Sequence, residues 1–186
     1  MKLFTFSFTI MTCLAGVMVA VTAIEATTYT VTTTDDTVRD GSCDDGDCSL
    51  ADAINETNYD TNVPHRIEFA IDTSDPSNAC DATTDTCTIY LSQVLPGLRM
   101  GQTTVDGYSQ PGAAENTATF PEPLNGSLKI VLDGSLASAT SDFLKDGFII
   151  RSNDNVLQGF VFRGIKRDAL SIHGYLDGSH SSGNVI

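Results

Sequence analysis

The residues with the clearest chemistry are four cysteines, Cys43, Cys48, Cys80 and Cys87. A fifth cysteine, Cys13, lies in the apolar N-terminal run and leaves with the predicted export signal. The even set that remains in an exported chain favours two disulfide bonds. Three pairings exist, and the sequence alone does not choose between them. We favour Cys43–Cys48 and Cys80–Cys87, because each pair brackets a short polar stretch that can turn back on itself. A zinc site is less favoured, because the chain lacks a C-x-x-C pair and its three histidines lie far from the cysteines.

An aspartate-rich segment surrounds the first cysteine pair. Calcium prefers oxygen ligands, and this segment could offer it Asp40, Asp44, Asp45 and Asp47. The spacing of these residues does not match an EF-hand loop, and a solvated acidic loop is the simpler interpretation. We therefore predict no cofactor, with calcium as the alternative.

Acidic and basic residues of the C-terminal half could take part in polysaccharide cleavage. Hydrolysis of a glycosidic bond needs two carboxylates that face each other across the bond, and eliminating lyases typically use an arginine. The candidates are Asp146, Asp154, Asp168, Asp177, Arg151, Arg163, Arg167 and His173. They form no intact motif of a polysaccharide-cleaving enzyme, and aspartate at loop corners commonly serves turn formation. We assign no catalytic residue.

Two sequons for N-glycosylation begin at Asn55 and Asn125. Such sequons are modified only in a host that glycosylates asparagine. We predict modification at these sites only if the source is eukaryotic.

The chain begins with an export signal. Lys2 precedes an apolar run that starts at Leu3, and the small residues up to Ala23 suit a signal peptidase. We predict a signal peptide over residues 1–23 and no transmembrane segment after its removal. The mature protein is then secreted or displayed on the extracellular surface.

The charge balance excludes several classes of partner. The chain has 10 Lys and Arg residues against 24 Asp and Glu residues, for a net charge of −14. Nucleic acids and anionic lipids both require cationic patches. We expect neither as a partner.

The elements that position these residues are mostly short strands. Runs rich in Val, Ile, Thr and aromatic residues predict strands, and Asp-Gly pairs mark turns between several of them. The predicted strands are Thr27–Thr34, Ile67–Ile71, Thr88–Leu91, Thr103–Val105, Leu128–Leu132, Phe148–Ile150, Val156–Phe162 and Leu170–Ile172.

One helix is predicted, from Ser49 to Asn58. Ser49 can cap it, and Asp52 completes a shortened capping box. Leu50, Ala53 and Ile54 fall on one side of this helix. Because only one side is apolar, the helix should lie over another layer of structure.

The spacing of three apolar residues predicts how the later strands are arranged. Ile130, Ile149 and Leu170 follow one another at steps of about twenty residues, as in the coils of a β-solenoid. Asp-Gly is also a hairpin signal, so a β-sandwich is the alternative fold. The chain ends at Asn184-Val185-Ile186, which reads like the start of a further strand, and we expect more rungs beyond it.

Residues 30–58, TVTTTDDTVRDGSCDDGDCSLADAINETN, resemble the CSLREAI-type N-terminal domain. The signature here reads Cys48-Ser49-Leu50-Ala51-Asp52-Ala53-Ile54, with Ala51 and Asp52 in place of Arg and Glu. Residues 95–112 and 146–164 resemble rungs of right-handed β-helix proteins. The resemblance implies an all-β, right-handed parallel β-helix whose first coil is covered by the amphipathic helix. It divides the chain into a signal peptide (1–23), a cap region (24–87) and rungs (88–186).

Proteins of this kind are secreted or displayed on cell surfaces, and the resemblance therefore implies a scaffold more than an activity. We expect a non-enzymatic scaffold used for adhesion or for contact with matrix or glycans. The alternative is a polysaccharide lyase or glycoside hydrolase that acts on acidic polysaccharide.

Overall fold

The structure is a computed structural model that describes residues 25–37, 40–44, 46–137, 146–174 and 180–186. The proposed signal peptide, Asp45 and Asp177 lie outside the described residues. The elements are β1 (Thr27–Val31), α1 (Leu50–Tyr59), β2 (His65–Phe69), β3 (Cys80–Asp81), β4 (Thr86–Tyr90), β5 (Thr103–Asp106), a 3-10 turn (Gly107–Ser109), β6 (Ile130–Asp133), β7 (Phe148–Ile150), β8 (Val156–Gln158), β9 (Phe160–Arg163) and β10 (Leu170–Ile172).

These strands form three sheets in the part of the chain that the structure describes. The first sheet has the order β1-β2-β5-β8, the second has β3-β4-β6-β9, and the third pairs β10 with β7. Every ladder between these strands is parallel except β3–β4. The protein is therefore built mainly of strands in parallel sheets, and these strands do not form the antiparallel meander that a β-sandwich would use.

The chain visits the three sheets in a repeated order. It passes from β5 through β6 to β7, and then from β8 through β9 to β10. The preceding stretch runs from β2 through β4 to Leu98, which bridges to Ile150 at the edge of the third sheet. We call one run of the chain through the first, second and third sheets a passage. Each passage thus lies beside the previous one.

The predicted step of about twenty residues is wrong for most of these passages. Phe148 does pair with Leu170 in the third sheet, but Ile130 belongs to the second sheet and pairs with Phe160. In the first sheet Thr27 pairs with His65, and His65 pairs with Thr103. These steps are nearly twice as long as expected, because the chain forms α1 between β1 and β2, and the β3–β4 hairpin between β2 and β5.

Apolar side chains stack in columns between the sheets. Tyr29, Ile67, Val105 and Leu157 occupy matching positions in the first sheet, and the last three are at most 2% exposed. In the second sheet Cys87, Ile130 and Phe160 form a similar column. Each fully buried aliphatic side chain contributes about 1.5–3 kcal/mol relative to an exposed one. The columns hold successive passages in register.

The helix α1 packs on β1 and β2, at one edge of the first sheet. Ser49 is its N-cap, and the Ser49 Oγ accepts the backbone N–H of Asp52 at 3.1 Å. Leu50, Ala53 and Ile54 are buried. Ala51 and Asp52 are also fully buried, so the expectation of a single buried side was too narrow.

The second covered side of α1 faces the cysteine loop that precedes it. The backbone N–H of Gly41 donates to the Asp52 Oδ1 at 2.9 Å. Cys43 and Cys48 close this loop as a disulfide, with Cα atoms 4.4 Å apart. The loop therefore folds over the first turn of the helix and covers it.

The expected boundary between a cap region and the rungs falls inside β4. Furthermore, β1 and β2 belong to the same sheet as β5 and β8, so the two regions share their sheets.

None of the helices in the described ranges is long and apolar enough to cross a membrane.

Candidate functional site

The second disulfide fixes a hairpin against the second sheet. Cys80 and Cys87 are paired residues of β3 and β4 and form a disulfide. The Cys87 side chain is fully buried in the core, so this bond ties the exposed strand β3 to the interior. Both disulfides are the local pairs that we favoured from the sequence.

A cleft of about 520 Å³ lies on the outer face of the second sheet, beside this hairpin. Its lining includes Asp81, Thr86, Thr88, Tyr90, Val131 and Arg163. Side chains of β4 alternate between the core and the outer face. Cys87 and Ile89 point into the core, so Thr86, Thr88 and Tyr90 form a polar wall on the outside. The Tyr90 side chain is exposed. The cleft is open to solvent on its outer side.

Arg163 and Asp133 form an ion pair at the rim of this cleft. The Arg163 Nε donates to the Asp133 Oδ2 at 2.7 Å, and the backbone N–H of Ser135 donates to the Asp133 Oδ1 at 2.8 Å. Burial raises the pKa of the Asp133 carboxyl, but the hydrogen bonds from Ser135 and Arg163 outweigh it, so the pKa lies below its usual value. Hydrogen bonding and attraction to Asp133 raise the pKa of the Arg163 guanidinium.

A second polar array lies on the outer face of the first sheet, but it is closed by its own contacts. Arg66 donates to Glu68 at 2.5 Å and also to Asp106. The Asp106 carboxylate accepts further hydrogen bonds from the Gln158 Nε2 at 3.1 Å and from the Tyr108 backbone N–H at 3.0 Å. Asp106 is only 5% exposed. This array braces neighbouring strands.

Among the residues considered for polysaccharide cleavage, Arg163 lines the cleft. Asp146 is instead buried at a corner, where Arg167 and the Ser171 Oγ donate to its carboxylate. Asp168 lies 3.3 Å from the Arg167 Nε in the same corner. Burial raises the pKa of Asp146, yet the bonds from Arg167 and Ser171 hold it below its usual value. This arrangement stabilises the corner.

The remaining candidates that the structure describes lie apart from the cleft. Asp154 sits at a turn with a φ of 58°, and its N–H donates to the Ser182 carbonyl at 2.9 Å. The His173 N–H donates to the Ile150 carbonyl at 2.9 Å. Arg151 has a buried Nε for which the structure gives no hydrogen-bond partner. These groups are not brought together into a catalytic arrangement.

Two of the aspartates proposed for calcium make hydrogen bonds of local turns. The Asp40 Oδ1 accepts the Ser42 N–H at 2.9 Å, and the Asp44 N–H donates to the Ser42 Oγ at 3.2 Å. Asp47 is exposed. Within the described ranges, no three His, Cys, Asp or Glu side chains are grouped to hold a metal ion. Calcium binding stays a prediction, since Asp45 is not described.

The two sequons have different surroundings. Asn55 is half-buried in α1, and the Thr57 of its sequon is fully buried and donates to the Ile54 carbonyl at 2.8 Å. Asn125 lies in an exposed loop, where its Nδ2 donates to the Thr117 Oγ1 at 3.0 Å. Asn125 is therefore the more accessible acceptor.

The cleft was not predicted from the sequence. The alternation of Thr86, Thr88 and Tyr90 was a usable signal for an outer polar row. However, no local pattern places Val131 and Arg163 beside that row, because parallel pairing joins them from distant parts of the chain. Comparison with protein-family models, with curated proteins and with solved structures finds no match.

Proposed function

We propose that this protein is a secreted, right-handed parallel β-helix scaffold that contacts glycans through the cleft on its second sheet. The repeated order of the three sheets and the parallel ladders support the solenoid architecture. Two disulfides agree with an oxidising, extracellular location.

The placement of α1 supports a capping role like that implied by the CSLREAI resemblance. In the first sheet β1 is the edge strand, and α1 packs on it. An exposed sheet edge invites pairing with other chains, and solenoids require covered ends for solubility. A helix fastened by the Cys43–Cys48 loop would serve this purpose.

The observation that carries the glycan proposal is the Tyr90 ring beside a row of hydroxyls. An exposed aromatic ring offers a flat apolar surface with a polar tip, and Thr88 and Thr86 precede Tyr90 by two and four residues on the same outer face of β4. A sugar ring presents an apolar face and a rim of hydroxyl groups. The chemistry of the cleft is therefore complementary to that of a saccharide.

Binding of defined oligosaccharides to wild-type protein and to Tyr90→Ala tests this function. We expect the substitution to abolish or strongly weaken binding, because it removes the ring from the cleft. Tyr59→Ala is the matched control, because Tyr59 is 85% exposed on α1. A panel on which wild-type protein binds no saccharide would contradict the proposal.

The same samples address the enzymatic alternative. We expect binding without the release of reducing ends or unsaturated products. Turnover that an Arg163→Gln substitution abolishes would replace the scaffold proposal with a lyase or hydrolase.

A further inference from the structure

The cations that border the cleft are already engaged by oxygen atoms of the protein. The Arg163 Nε donates to the Asp133 carboxylate at 2.7 Å. Next to the cleft, the Lys129 Nζ donates to the backbone carbonyl of Thr84. A carboxylated sugar would have to compete with these partners. Recognition of carboxylates by arginine is strongest when the guanidinium fork can bind both oxygens, and Arg163 has part of its fork committed.

A negative charge also lies in the lining of the cleft. Asp81 lies in its lining, and its Oδ1 accepts the backbone N–H groups of Thr83 and Thr84 at 2.8 and 2.9 Å. These hydrogen bonds keep the pKa of Asp81 below its usual value, so the carboxylate is ionised at neutral pH. The whole chain has a net charge of −14. An oligoanion that approaches this surface is repelled.

What the cleft offers is suited to an uncharged ligand. The Thr86 and Thr88 side chains are half-buried, and hydroxyls can both donate and accept hydrogen bonds. The Tyr90 ring stands at one end of this row, whereas Val131 is only 6% exposed. The ring can cover an apolar face while the hydroxyls bond to a polar rim.

We infer that the cleft binds a neutral oligosaccharide, with one sugar ring against Tyr90 and the hydroxyl groups of this ring and its neighbours on Thr88 and Thr86. This inference rests on the proposed glycan function and narrows its ligand class. It differs from the acidic polysaccharides expected for a cleaving enzyme of similar architecture.

Isothermal titration with two matched sets of probes tests the inference. The neutral set is cellohexaose, xylohexaose and mannohexaose, and the acidic set is hexagalacturonate and hexaguluronate, each in 0.15 M salt. We expect at least one neutral hexasaccharide to bind and the acidic ones not to bind. Tyr90→Ala should weaken that binding about tenfold or more, and Thr88→Val should weaken it about threefold to tenfold through the lost hydroxyl. Tyr59→Ala should leave it unchanged.

The outcomes separate the inference from the function on which it rests. Binding of the acidic set alone would overturn the neutral-ligand inference and leave the glycan function standing. Neutral binding that Tyr90→Ala does not weaken would overturn the assignment to this cleft. If neither set binds, the glycan function itself fails together with the inference. Circular dichroism of each variant ensures that a loss of binding is not a loss of fold.

Discussion

Gly107 and Gly159 lie directly against each other at the same corner of two neighbouring passages. A Cβ placed on Gly107 would lie 2.3 Å from the Gly159 carbonyl oxygen. These glycines follow paired positions of β5 and β8, and Gly159 has a φ of 81°. The contact shows how closely the backbone of one passage rests on the next.

Gly159→Ala should therefore destabilise the protein strongly. The new methyl group would lie 2.5 Å from the Tyr108 backbone nitrogen, and the positive φ adds strain of about 1 kcal/mol. Gly112→Ala is the matched control, because Gly112 has a φ of 84° but only an ordinary contact at 3.4 Å. We expect Gly159→Ala to lower the urea midpoint clearly more than Gly112→Ala does. Equal losses would argue against close stacking.

Ser49→Ala should cost about 2 kcal/mol, at the upper end of the range for an N-cap. The Ser49 Oγ both accepts the Asp52 N–H and donates to the Asp52 Oδ2 at 2.6 Å, so its loss leaves a buried carboxylate with one fewer donor. Ser77→Ala is the control, because Ser77 makes a similar bond to Asp75 on an exposed turn. That control should change the unfolding free energy by less than about 0.5 kcal/mol. Equal losses of unfolding free energy in Ser49→Ala and Ser77→Ala would contradict the role of Ser49 as a buried N-cap.

Peptide mapping without reduction should find Cys43 joined to Cys48 and Cys80 joined to Cys87. Replacing Cys43 and Cys48 together by alanine should cost about 2 kcal/mol, because a short closed loop constrains the unfolded chain only modestly. The measurement is urea unfolding of the oxidised proteins. Peptides that link the first pair to the second would contradict the local pairing.

Stability should fall in acid partly through Asp146. Its pKa is lowered in the folded protein from the ordinary value of 3.8, so its contribution is present above that value and is lost as the pH falls through the lower, folded value. Asp146→Asn should therefore be less stable than wild type at pH 7, and the difference should narrow between pH 4 and pH 2. Chemical unfolding at each pH measures this difference. A gap that stays constant with pH would contradict the role of the Arg167 and Ser171 contacts.

Local patterns predicted the positions of most elements, whereas their arrangement needed information from distant residues. The helix followed from Ser49 and from the apolar spacing after it, and its bounds moved by one residue to Leu50–Tyr59. The predicted strand Val156–Phe162 is divided at Gly159 into β8 and β9. This division was not predicted, because the local sequence does not show the close contact between Gly159 and Gly107. The strand β3 has two residues, too few for any periodicity.

The membership of each sheet could not be predicted from equal spacing. The hairpin of β3 and β4 and the long excursion between Gly107 and Ile130 give the passages different lengths, so a fixed step assigned Ile130 to the wrong sheet. For the same reason the cleft, which joins β4 to β6 and β9, was not found.

The stacked architecture depends on the parallel pairing of β1 with β2. Engineered pairs of cysteines on these two strands test this pairing directly. Thr28 is aligned with Arg66, and Thr30 is aligned with Glu68. We expect rapid disulfide formation under mild oxidation in the double variants Thr28→Cys/Arg66→Cys and Thr30→Cys/Glu68→Cys. The crossed variants Thr28→Cys/Glu68→Cys and Thr30→Cys/Arg66→Cys should form the bond slowly or not at all. Preferential bonding in the crossed variants would mean antiparallel strands and would contradict the stacked parallel architecture.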